Sequence, residues 1–117
     1  MKCEIKSLYI CVLDMERAIS FYEAFFEQKA AVKDNVYSAF DINGFRFGLF
    51  AFAEMKEPHT FGNNCLPSIS VESIDTFNKK LKGLKIVFPI TKIGRNWVAE
   101  FADSEGNHIE LATPIDG

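Results

Sequence analysis

Asp41-Ile42-Asn43-Gly44-Phe45-Arg46-Phe47-Gly48-Leu49 and Asp103-Ser104-Glu105-Gly106-Asn107-His108-Ile109-Glu110-Leu111 decide the fold. Each begins on an aspartate, turns through a glycine and runs into a strand-like segment. Asn43-Gly44 readily takes the positive φ angles of a two-residue hairpin, so residues 36–42 and 45–52 read as its two arms. The second stretch joins strands expected at 97–102 and 108–113.

Reading outward from these turns, the same order of elements occurs twice. Residues 5–13 alternate, with Leu8, Ile10 and Val12 on one face of a strand and Ser7, Tyr9 and Cys11 on the other. Asp14 offers an N-cap oxygen, and Met15, Ala18, Ile19, Tyr22, Phe25 and Phe26 recur at helical spacing, predicting a helix that ends near Gln28. A short strand at 31–33 precedes the hairpin. After an aperiodic linker at 54–64 come a strand at 66–72, a helix at 74–81 capped by Ser73 and ended near Gly83, and strands at 85–90, 97–102 and 108–113. Asp14-Met15-Glu16-Arg17-Ala18 opens the first helix as Ser73-Ile74-Asp75-Thr76-Phe77 opens the second.

The expected class is therefore α+β, a single domain over 1–117 built from two tandem β-α-β-β-β modules, about 1–53 and 65–117. A period of about sixty residues in two copies is too long for a solenoid and points to duplication. Each module has one helix to cover one sheet face, so the other faces must meet each other, a dimer partner or a ligand.

Composition narrows the partners. The 117 residues are 48% hydrophobic and 25% charged, a globular profile. A net charge of −3, with Lys and Arg scattered, offers no field for nucleic acid. MKCEIK has no apolar run behind it and no long apolar segment follows, so neither a signal peptide nor a membrane span is expected, and a cytoplasmic location is. Cys3, Cys11 and Cys65, an odd set without a C-x-x-C pair, read as reduced structural thiols. Twelve Phe with only two covering helices leave apolar sheet surface, the physical ground for expecting a homodimer.

Val12-Leu13-Asp14-Met15-Glu16-Arg17-Ala18-Ile19-Ser20-Phe21-Tyr22 is similar to the strand–helix opening of the vicinal-oxygen-chelate superfamily, which includes glyoxalases, bleomycin-resistance proteins and extradiol dioxygenases. Phe101-Ala102-Asp103-Ser104-Glu105-Gly106-Asn107-His108-Ile109-Glu110-Leu111 resembles that superfamily's C-terminal turn and strand. The resemblance covers essentially the whole chain. It implies a curled mixed sheet around a central cavity, with a divalent metal chelated from equivalent positions of the two modules. Carried over residue by residue, those positions fall on Ser7, Gly48, Leu66 and Glu110, of which only Glu110 keeps the ligand chemistry. A catalytic divalent ion normally needs about three protein ligands. A site rebuilt from Glu110, His108 and His59 is the alternative, with one divalent ion as cofactor; the main expectation is no cofactor.

Alternation places Ser7, Tyr9, Cys11, Arg46, Phe50, Ser68 and Ser70 on the faces away from the helices, with Gly48 among them; Glu110 joins them as the position the resemblance marks, with His108 two residues away on its face, and Trp97 and Phe101 form a patch near the pocket mouth, the alternative being that Val98 and Glu100 point inward. Tyr9 and Phe50 offer stacking surface and Arg46 a charge, a lining suited to a small organic ligand. The leading function is metal-independent binding of such a ligand, in the sheet cavity or a dimer interface, as in the drug-sequestering members of the superfamily. The alternatives are a metal-dependent lyase or isomerase of glyoxalase type, and metal-free acid–base catalysis with Glu110 as the catalytic carboxylate.

Overall fold

The computed structural model describes residues 2–55 and 65–116. The chain divides into two compact units, Met1–Thr60 and Phe61–Gly117. Together they hold two small mixed sheets, of three and four strands, and two α-helices, an α+β composition. Neither sheet closes on itself.

In the first unit β1 (Ser7–Cys11) leads to α1 (Met15–Phe26), and the hairpin β2 (Tyr37–Ile42) and β3 (Phe45–Phe50) follows, with one turn of 3-10 helix at Phe52–Met55. The sheet order is β1-β3-β2, with β1 parallel and β2 antiparallel to β3. The Asp14 side chain accepts the Arg17 N–H at 3.0 Å and starts the helix. Asn43 and Gly44 both take positive φ, 52° and 89°, as a two-residue hairpin turn requires. On the helix side Tyr22 and Phe26 meet Phe40 and Phe47 with ring centroids 5.0 to 6.4 Å apart. Tyr22, Phe40 and Leu49 are fully buried there. Burial of each such side chain stabilises the unit by about 1.5–3 kcal/mol.

The strand expected at 31–33 shrinks to one bridge, Val32 with Ala39. A turn built by Asp34 stops it from growing: the Asp34 carboxylate accepts the N–H groups of Val36 and Tyr37, and its own N–H donates to the buried Ser38 hydroxyl. Those bonds turn the chain into β2 too soon for a longer ladder.

In the second unit β4 (Ser68–Ser70), α2 (Ile74–Leu81), β5 (Lys85–Ile93), β6 (Asn96–Ala102) and β7 (His108–Pro114) form a sheet of order β4-β7-β6-β5. Ser73 caps α2 by accepting the Thr76 N–H at 3.2 Å. Phe77 of α2 and Phe101, Ile109 and Leu111 of the sheet are fully buried. Asp103 shapes the β6–β7 turn, its Oδ1 accepting the N–H groups of Glu105 and Asn107 at 2.9 and 2.8 Å while Gly106 takes φ 95°. β5 is an edge strand with two register shifts, and Ile86, Val87, Phe88, Ile90 and Ile93 on it are exposed. No helix among the described residues is long and apolar enough to cross a membrane.

Candidate functional site

The first unit's helix-free face is set by strand register. β1 and β3 place Ser7 beside Arg46, Tyr9 beside Gly48 and Cys11 beside Phe50. β2 adds Tyr37, Ala39 and Asp41 opposite Phe50, Gly48 and Arg46. The six first-unit residues expected on this face, Gly48 included, thus lie side by side, and Tyr37 joins them.

Tyr37 stacks on Phe50 with centroids 4.8 Å apart and planes 7° from parallel, and Tyr9 meets Tyr37 edge-on at 5.7 Å. The Tyr9 ring lies flat on the backbone of Gly48: a Cβ there would overlap ring atoms Cδ2 and Cε2 and stand 2.7 Å from Cγ. Glycine is required here for space. Arg46 Nη1 donates to the Tyr9 hydroxyl at 3.1 Å and forms no ion pair among the described residues. Asp41, across the ladder from Arg46, turns its carboxylate to the hairpin instead, accepting the Gly44 N–H at 2.8 Å. A hollow of about 250 Å³ opens beside Arg46, lined by Ala31, Ala39, Phe40, Asp41 and Gly44 as well.

The second unit's corresponding face carries a polar cluster. β4 and β7 put Ser68 beside Glu110, and the Ser68 hydroxyl donates to Glu110 Oε1 at 2.5 Å. β6 puts Glu100 opposite Glu110 and Ala102 opposite His108. His108 Nδ1, buried and with no other partner among the described residues, lies 3.0 Å from Glu100 Oε2. The separation is within ion-pair distance, but the ring nitrogen makes no hydrogen bond to that carboxylate. Ser70 stands beside Ala112 on the same side.

Two sequence readings need correction. Trp97 pairs with Thr113, three residues from Glu100, so alternation puts it on the other side of the sheet with Ala99 and Phe101, away from Glu110. Glu100, the alternative to Trp97, takes the face of Glu110, and Tyr37 shares the first unit's face, where the sequence reading did not place it. The two-residue turn at Asn43-Gly44 pairs 42 with 45, and counting back from it would have placed Tyr37 opposite Phe50. Glu100 needed the register across the longer 103–107 turn, which no residue pair specifies. His59 lies outside the described residues. Among those described, no group of three or more His, Cys, Asp or Glu is placed to hold a metal ion.

Three-dimensional likeness decides the fold family. A glyoxalase/bleomycin resistance protein/dioxygenase family enzyme from Burkholderia phytofirmans PsJN superposes with a TM-score of 0.80 over 96% of this chain and 99% of that one, at 15% identity. The fold is that of the glyoxalase/bleomycin-resistance/dioxygenase proteins. A glyoxalase-related enzyme from Fulvimarina pelagi (TM-score 0.78, 13% identity, 94% of this chain and 87% of that one) shares this fold. So does a lactoylglutathione lyase from Agrobacterium tumefaciens (TM-score 0.72, 13% identity, 96% and 94%). By sequence no family model and no curated protein matches the chain. The glyoxalase-type fold, a vicinal-oxygen-chelate architecture, thus rests on three-dimensional likeness, and the chemistry must be read from this chain's own residues.

Proposed function

We propose that the chain is a metal-independent small-molecule-binding protein of the glyoxalase/bleomycin-resistance type, which holds a small organic ligand on the helix-free face of the first unit. The observation that carries this reading is the Tyr9 ring lying on Gly48. Gly48 is the position where the resemblance puts a metal ligand, and no side chain can be added there without moving the ring. With Ser7 and Leu66 at two further ligand positions, Glu110 alone keeps a ligating group, so the residues present do not fit a resident divalent ion. What this face does offer is aromatic surface, an arginine without an ion pair among the described residues and an adjoining hollow.

The reading extends to assembly and origin. Strand orders β1-β3-β2, with the Val32 bridge on the outer side of β2, and β4-β7-β6-β5 support two copies of one module. The exposed apolar residues of edge strand β5 support a homodimer. A cytoplasmic setting accords with three thiols that form no disulfide.

The test is a thermal-shift and calorimetric screen of small organic compounds in the presence of a chelator. Binding that persists in chelator and is lost in Tyr9→Ala supports the reading; binding that requires an added divalent ion contradicts it. A second reading, metal-free acid–base catalysis at Glu110, draws on the Ser68–Glu110 hydrogen bond and the facing Glu100–His108 pair. Turnover of a bound compound that Glu110→Gln abolishes without loss of binding would favour it.

A further inference from the structure

The first unit's open face carries three aromatic rings whose positions are fixed by one another rather than by a ligand. Tyr37 and Phe50 are stacked, Tyr9 stands edge-on to Tyr37, and Tyr9 is seated on Gly48 and tied to Arg46 through its hydroxyl. A surface already ordered loses little freedom on binding. Yet Tyr9 remains 39% exposed and Tyr37 46%, so the platform is open to a further ring.

Arg46 adds a polarity to this platform. One of its N–H groups is used on Tyr9, and no carboxylate among the described residues pairs with it, since Asp41 is turned into the hairpin. The remaining donors form a planar fork matched to an oxyanion. The fork contacts the hydroxyl of Tyr9, whose ring begins one bond from that oxygen. That spacing suits a ring bearing its anionic group directly. Two part-exposed tyrosine rings offer surface for one further ring, and a separate hollow of about 250 Å³, which none of the three rings lines, adjoins Arg46.

We propose that this face selects a planar, one-ring aromatic carboxylate, its ring against Tyr9 and Tyr37 and its carboxylate on the Arg46 guanidinium. The proposal rests on the reading of this face as a binding surface and names the ligand class it takes.

The experiment is an amide chemical-shift titration of the full 15N-labelled chain with benzoate, benzamide and cyclohexanecarboxylate. Benzoate saturably moves amides of β1 and β3 around Tyr9 and Arg46. Benzamide, which lacks the charge, and cyclohexanecarboxylate, which lacks the planar ring, each bind about tenfold more weakly. Arg46→Gln abolishes the preference over benzamide, and Tyr37→Leu the preference over cyclohexanecarboxylate, in variants whose spectra keep their dispersion. Arg46→Lys, which keeps the charge and loses the fork, retains only part of the benzoate affinity.

Equal binding of all three probes, or benzoate shifts that map away from this face, overturn the proposal. If benzoate moves nothing on the face while a hit of other chemistry from the chelator-treated screen does, the ligand class falls and the binding face stands. If neither benzoate nor any screen compound moves it, both fall.

Discussion

Tyr9 and Gly48 occupy one piece of space between them, and the consequence is measurable. Gly48→Ala forces the Tyr9 ring off the strand towards solvent, breaking its contact with Arg46 at a cost of about 1 kcal/mol. In a double-mutant cycle with Tyr9→Ala, urea denaturation shows the alanine at 48 to be far less costly once the ring is gone. Additive effects would mean that the ring does not rest on Gly48. Asp34 acts nearby through its charge. The Val36 N–H, and then that of Tyr37, stabilise its carboxylate and hold its pKa below the ordinary range. A depressed folded-state value contributes stability that is complete above the unfolded value and is lost as pH falls through the folded one. Asp34→Asn therefore flattens the loss of stability below about pH 4 relative to the parent, read by acid titration of the unfolding midpoint. Parallel curves would remove Asp34 from the acid response.

At the level of elements, both helices start on side-chain caps and were legible for that reason. Asp14 and Ser73 each accept an N–H three residues on, and α2 runs over Ile74–Leu81 as its Ser73 cap and the stop near Gly83 predicted. Asp14→Ala or Ser73→Ala lowers stability by about 1 kcal/mol each in chemical denaturation. A loss within error would mean that helix packing outweighs the cap. The hairpin was equally plain, since two positive φ angles fall on Asn43-Gly44. Less legible was anything set by side chain–backbone bonding or by long turns. Residues 31–33 have strand-like composition, but the Asp34 turn that cuts them short appears only once its carboxylate is seen to collect two amides. Trp97 was misplaced because an alternating strand has two faces, and only the register across the Asp103 turn says which one Glu110 takes. Alternation gives the first unit's face except for Tyr37, and in the second unit it leaves Trp97 and Glu100 as alternatives.

For the molecule as a whole, a shared fold does not carry a shared chemistry with it. The architecture is shared with a lactoylglutathione lyase and other glyoxalase-related proteins at 13–15% identity. Fold is maintained by turn chemistry and buried rings, whereas a metal site depends on a few side chains, and the positions to which the resemblance carries three of them hold Ser7, Gly48 and Leu66. The proposed dimer draws on edge strand β5, so Phe88→Lys is expected to shift sedimentation towards the monomer while leaving the circular dichroism spectrum unchanged. An unchanged sedimentation profile would place self-association elsewhere.

Metal independence is the centre of the account, and its most direct test is the metal content of the protein. The chain is purified without chelators, its Mn, Fe, Co, Ni, Cu and Zn content is measured per chain by elemental mass spectrometry, and its melting temperature is recorded with each divalent ion added. The account predicts no stoichiometric metal and no ion-induced rise in melting temperature. About one ion bound per chain, raising the melting temperature and abolished by Glu110→Gln, would contradict it.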